Sequence, residues 1–135
     1  MHDGLMNYIG GKWTEASSQE TFPTTNPATE EVIALAPRST AADVDRAVQA
    51  ARSAYKAWRL TPAPRRGEIL FRAAHLLSEH KEDLARLMTQ EMGKILAETR
   101  GDVQEAIDMA YYMGGEGRRM HGYTAPVEMP NKFGM

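Results

Sequence analysis

The sequence predicts an α/β chain of unequal parts: short strands in residues 1–38, about four helices in 39–121, and an extended segment in 122–135. Three observations lead there. Glycine and proline punctuate the first forty residues at strand-length intervals. Apolar residues then recur every three or four positions for some eighty residues. The last stretch, "GYTAPVEMPNKFGM", has two prolines and no helical period.

"MNYIGGKWTEA" places β-formers on both sides of Gly10-Gly11, a two-residue hairpin signal. Asn26-Pro27 imposes an extended or turn conformation, and Val32 to Ala36 reads as a short buried strand ended by Pro37. Two or three short strands are expected in all. In "STAADVDRAVQAARSAYKAW", Ser39 or Thr40 serves as N-cap and Asp43 sits near the positive helix end. The stripe of this helix is Val44, Ala47, Val48, Ala51, Tyr55 and Trp58. A second helix restarts after Pro62, with Pro64 in its first turn and Ile69, Ala73, Leu76 and Leu77 on one face. "KEDLARLMTQEMG" continues the pattern through Leu84, Leu87, Met88 and Glu91, and Gly93 provides the left-handed stop. The fourth helix turns Val103, Ala106, Ile107, Ala110 and Tyr111 inward and is expected to fray or bend at Gly114, Gly115 and Gly117.

Composition excludes several classes of function. The chain has 135 residues, a formal net charge of −2 and interspersed charges, so it offers nucleic acid no basic face. It has no cysteine, which removes disulfides, thiolate metal sites and thiol nucleophiles. No apolar run has the length of a membrane span, and "MHDGLMNYIGG" lacks the form of a signal peptide. A soluble, cytoplasmic protein is expected.

Local motifs fare no better as catalysts. Gly93-Lys94 looks like the tail of a phosphate loop, but the required earlier glycine is Met88 and the following hydroxyl residue is Ile95. "GGEGRRM" closes a helix, whereas a dinucleotide fingerprint opens one. His75 and His80 are five apart, which a helix does not stack, and no third ligand is in register. Glu98, Asp102, Glu105 and Asp108 form an acidic stripe that reads as a solvated helix face.

The order of the pieces carries more information. "YIGGKW", "FPTTNPATEEVIA", a helix ending in Trp58, and "RRGEILFRAAHLLSEHKEDLARLMTQEMGKILAETRGDVQEAIDMAYYMGGEGRRMHG" together resemble the N-terminal part of the NAD(P)-dependent aldehyde dehydrogenase superfamily. The resemblance covers the chain from Tyr8 onward. It implies a longer enzyme that oxidises an aldehyde to a carboxylic acid through a cysteine thiohemiacetal, with hydride passing to NAD or NADP. It also implies a homo-oligomer. By the resemblance, residues 39–121 are the helical part of the cofactor-binding domain. Residues 122–135 lead toward an oligomerisation arm and a dinucleotide-binding core beyond Met135.

The expectation is therefore an N-terminal fragment, inactive and cofactor-free by itself, with apolar faces left open and prone to self-association. The alternative is a stand-alone helical interaction module without catalysis. Two sets of site residues are implied by the resemblance. Some family members hold a monovalent cation with the carboxylate of an Asp/Glu-x-Gly-Lys motif and carbonyls just before an Asn-Pro, which here are Glu91 and Thr24-Thr25. Pairing of Glu91 with a nearby Lys or Arg is the competing expectation. The long fourth helix lines the aldehyde entry tunnel in the family, which points to Gln104 and Asp108.

Overall fold

The computed structural model describes residues 4–135. Four short strands come first, as two antiparallel hairpins: β1 (Asn7–Ile9) with β2 (Lys12–Thr14), and β3 (Thr21–Thr25) with β4 (Val32–Pro37). Four helices follow: α1 (Ala41–Leu60), α2 (Ala63–Glu79), α3 (Lys81–Met92) and α4 (Leu96–Glu116). A last pair, β5 (Ala125–Pro126) with β6 (Phe133–Gly134), closes the described chain.

Gly10 and Gly11 occupy the β1–β2 turn with φ of +61° and +82°, which a two-residue turn between Ile9 and Lys12 requires. β4 is not buried along its length: Ala34 faces inward while Val32 and Leu35 are exposed. A two-stranded sheet covered on one face leaves part of the strand open. The C-terminal segment also departs from a single extended run, because Ala125 pairs with Gly134 and Pro126 with Phe133.

The core lies among α2, α3 and α4. Ala85, Val103 and Ile107 are its buried centre, with Leu77, Leu84, Met88 and Leu96 packed around them. Of the expected stripe of α2, Leu77 packs on the core and Ala73 is half-buried, but the helix is turned so that smaller residues lie deepest. Gly67 and Ala74 are the buried residues of that helix, while Ile69 and Leu76 are exposed. The cause is the approach of α4, which small residues allow. A Cβ at Gly67 would lie 2.2 Å from the carbonyl oxygen of Gly114, and one at Gly114 would lie 2.7 Å from the Phe71 ring. The glycines of α4 therefore do not bend or fray it early. The helix runs through Gly114 and Gly115 to Glu116, and Gly114 is buried in the crossing. Of the other residues expected inward, Ala110 is half-buried on α4, while Ala106 and Tyr111 on α4 and Leu87 on α3 are exposed.

Helix α1 stands apart from this core. Thr40 is its N-cap. The Thr40 backbone N–H donates to the Asp43 carboxylate at 2.8 Å, an N3 carboxylate reaching back to satisfy a free helix-end donor. The apolar stripe expected to turn inward is open: Val44 is 59% exposed, Tyr55 61% and Trp58 45%. Contacts to α1 include those of β1, of Ser17 with Asp43 and, at its C-terminal end, of the Arg66 guanidinium 6.0 Å over the Trp58 ring. No described helix is long and apolar enough to cross a membrane.

Candidate functional site

Helix α3 ends where the sequence places its stop. Gly93 adopts φ +73° and its N–H donates to the Thr89 carbonyl at 2.9 Å. Against this stop sits the Asn26-Pro27 turn, and a Cβ at Gly93 would meet Pro27 Cγ at 2.9 Å. The turn is locally rigid. Asn26 Oδ1 accepts from the Ala28 N–H at 2.9 Å, and the Asn26 N–H and carbonyl engage Glu31 and Glu30. Just upstream, the ladder between β3 and β4 shifts register between Thr24 and Thr25, a bulge that re-aims the strand end.

The fold thus brings the segment of Thr24-Thr25 and the segment of Glu91 to one corner, through the Pro27–Gly93 contact. The corner suits an oxygen-seeking cation in kind, since a helix C-terminus concentrates carbonyl partial charge and an exposed carboxylate stands beside it. Glu91 takes part in no ion pair among the described residues. Its competing role as a salt-bridge partner is therefore not seen. The adjacent Lys94 turns instead to Asp102, at 2.6 Å. That carboxylate, helped by Glu98 and Glu105, holds the Lys94 ammonium above its usual pKa. Among the described residues no group of three His, Cys, Asp or Glu is clustered for a metal.

Gln104 and Asp108 come together one helical turn apart. The Gln104 carboxamide donates to Asp108 Oδ1 at 2.9 Å and accepts from Lys81 Nζ at 2.7 Å, so both of its ends are fixed. They border an open groove on α4 with Gly101, Met109 and Tyr112. Lys81 was not singled out in the sequence. Its position at the first turn of α3, beside α4, is a tertiary contact that no periodicity encodes.

Two carboxylates carry the strongest electrostatics: Asp43, which the sequence marks only as a first-turn acid, and Glu82, which it does not single out. Asp43, 2% exposed, accepts from Ser17 Oγ at 2.7 Å, from the Ser17 and Thr40 backbone N–H groups, and from Arg46. These donors, the Ser17 hydroxyl first, hold its carboxyl well below the usual carboxylate range. Glu82 is gripped by Arg100 through two bonds of 2.8 and 2.7 Å and by Arg86 at 2.7 Å. The Arg100 hydrogen bond leads in lowering its pKa to about 2. Both are joints: Asp43 ties the first hairpins to α1, and Glu82 ties α3 to α4.

A nicotinamide dinucleotide site has a characteristic frame. Such a site is built on parallel strands with a glycine-rich turn opening a helix. Here every strand pair is antiparallel, and the Gly114-Gly115-Glu116-Gly117 run ends α4.

Known proteins place this arrangement. The sequence profile described as "Aldehyde dehydrogenase family" matches residues 13–135. Malonate-semialdehyde dehydrogenase 1 of Geobacillus thermodenitrificans is 48% identical over 122 residues, which are 90% of this chain and 25% of that protein. The succinate-semialdehyde dehydrogenase structure from Burkholderia pseudomallei superposes with a TM-score of 0.90 at 38% identity, covering 96% of this chain and 27% of that one. A betaine aldehyde dehydrogenase from Staphylococcus aureus, solved in complex with NAD+, gives a TM-score of 0.90 at 32% identity over 96% of this chain and 26% of that one. The chain spans about a quarter of the length of the curated relatives it matches. Hairpins, helix order and helix stops recur together with the sequence, and this chain belongs to the aldehyde dehydrogenase family.

Proposed function

We propose that these 135 residues are the N-terminal segment of an NAD(P)-dependent aldehyde dehydrogenase that oxidises malonate semialdehyde or a closely similar short aldehyde. The observation that carries the reading is the 48% identity to a malonate-semialdehyde dehydrogenase, at a level sustained over nine-tenths of the chain. In this reading residues 1–38 are an N-terminal strand and turn region, residues 39–121 are the helical part of the cofactor-binding domain, and the segment 122–135 leads toward an oligomerisation arm and the dinucleotide-binding core.

The chemistry of the reaction sets what lies elsewhere. Oxidation through a covalent intermediate needs a thiolate, and the chain contains no cysteine. The hydride acceptor needs a dinucleotide fold built on parallel strands, which this reading assigns to the rest of the protein. The chain's own contribution is positioning. The Glu82 joint and the Gly67–Gly114 crossing fix α4, and α4 presents Gln104, with Lys81 and Asp108 holding its amide, along the route of the aldehyde. Glu91 and the carbonyls of Thr24-Thr25 contribute to a monovalent-cation site at the α3 stop.

The test compares the 135-residue chain with the reading frame extended past Met135. The extended protein oxidises malonate semialdehyde with NAD+ or NADP+ and exists as a homo-oligomer, while the short chain gives no turnover. Turnover by the short chain, or an extended frame that lacks a cysteine and is inert toward a panel of aldehydes, overturns the reading. In the extended enzyme, Gln104→Ala raises KM with a smaller effect on kcat, and Glu91→Gln reduces the dependence of stability on potassium.

A further inference from the structure

A lysine follows the α3 stop directly, and an ammonium at that place competes with any cation held by Glu91. Glu91 and Lys94 are three residues apart across Gly93, a spacing that the long flexible stem of lysine spans. The ammonium is nonetheless turned the other way. Lys94 Nζ donates to Asp102 Oδ2 on α4 at 2.6 Å, and Glu98 and Glu105 of the same helix add to the pull on it. Residues 98, 102 and 105 share one helix face. The Lys94 and Asp102 side chains are only 33% and 37% exposed, so solvent screens their attraction less than that of an open surface pair. Glu91 enters no ion pair among the described residues.

We propose that Asp102 is a positioning residue for the cation site. By holding the Lys94 ammonium on α4, it keeps the protein's own cation off the Glu91 carboxylate. A monovalent ion, and not a lysine, then completes the corner formed by Glu91 and the carbonyls of Thr24-Thr25. The inference rests on the cation reading of Glu91 given above and adds a condition that the reading alone does not contain. The two cations exclude each other, because a single carboxylate beside a helix C-terminus balances one positive charge. A Glu91–Lys94 contact would be an ordinary pair at i and i+3, and it would occupy the oxygens the ion needs. Both members of the Lys94–Asp102 pair, and the turn that joins α3 to α4 between them, lie within these residues.

The thermal stability of the extended enzyme, titrated with potassium chloride against choline chloride at constant ionic strength, tests this without recourse to turnover. Potassium is expected to raise the Tm of the parent with a measurable midpoint, and Glu91→Gln reduces that response. Asp102→Asn raises the midpoint about three- to tenfold, the effect of one like charge a few ångströms from the ion. Lys94→Met leaves the midpoint unchanged or lowers it. Combined with Asp102→Asn it cancels the loss, since no ammonium remains to compete. A merely structural ion pair would lower Tm in both single variants and leave the potassium midpoint alone, a result that overturns the proposal and spares the cation site. A midpoint raised equally by Asp102→Asn with and without Lys94 overturns it too, as does one raised by Lys94→Met, where no charge on α4 is touched. A parent indifferent to potassium overturns both the proposal and the cation site.

Discussion

Helix α4 carries Val103 and Ile107 one turn apart, and α1 carries Val44 and Val48 in the same relation. The first pair is 3% and 4% exposed, the second 59% and 44%. The two helices are of nearly equal length, 21 and 20 residues, and both have an apolar stripe. What separates them is the opposing surface. α4 meets Gly67, Ala74 and Ala85, small residues that let helix backbones close on one another, whereas α1 is held by polar joints at its start and an Arg66–Trp58 contact at its end. A period therefore states that a face can be buried. For α4, small residues on α2 and α3 let the backbones close over it.

Substitutions in the two regions separate most widely in the core. Ile107→Ala is expected to cost about 3 kcal/mol of unfolding free energy, since it opens a cavity among Ala85, Val103 and their neighbours. Chemical denaturation of the chain measures it. Trp58→Ala, a larger truncation on α1, is expected to cost less than about 1 kcal/mol under conditions that keep the chain monomeric. Equal losses at the two sites would erase the distinction between them.

The glycines sharpen the same contrast within one bundle. Gly67→Ala is expected to destabilise by about 2 kcal/mol, because its methyl would press on the Gly114 carbonyl at the crossing. Gly101 lies on α4 with no atom near a would-be Cβ. There Gly→Ala is expected to stabilise by about 1 kcal/mol through helix propensity alone. Thermal melts of the two variants should move in opposite directions.

Acid provides the smallest and most selective probe. The Glu82 carboxyl titrates near 4.5 when free and at about 2 in the fold. A lowered pKa contributes stability that is complete above about pH 4.5 and is lost as pH falls toward 2. Glu82→Gln should flatten the stability profile between those values and leave the profile near neutrality parallel to that of the parent. Unaltered acid sensitivity in that variant would show that the Arg100 clamp does not join α3 to α4 in solution.

Much of this architecture was written in local chemistry. Gly10-Gly11 and Gly93 sit where left-handed backbone is needed, Asn26-Pro27 makes its turn, and the four helices start and stop near their capping residues. The order of these signals also identified the family. Tertiary choices were not legible. The period on α2 pointed to Ile69, Ala73, Leu76 and Leu77; Leu77 packs on the core, but Ile69 and Leu76 are exposed, and the residues buried deepest are Gly67 and Ala74, which contribute little to a hydrophobic pattern. Asp43 resembled a routine first-turn acid, and its bond to Ser17 spans 26 residues that no local rule connects. Lys81 acquires its role only because α3 lies beside α4. The segments of Glu91 and of Thr24-Thr25 were assigned together by resemblance, and the physical link between them is Pro27 resting on Gly93.

That resting contact orders events on the ribosome. Pro27 leaves the exit tunnel long before Gly93 has been made, and at typical elongation speeds the interval is roughly several seconds. Hairpins form within microseconds but are marginally stable alone, so the Asn26-Pro27 turn forms and re-forms many times before its seat exists. The seat, in turn, accepts only a residue without a side chain. The helix made later stops on its own glycine, and the missing side chain at that stop is what leaves the earlier turn room to dock.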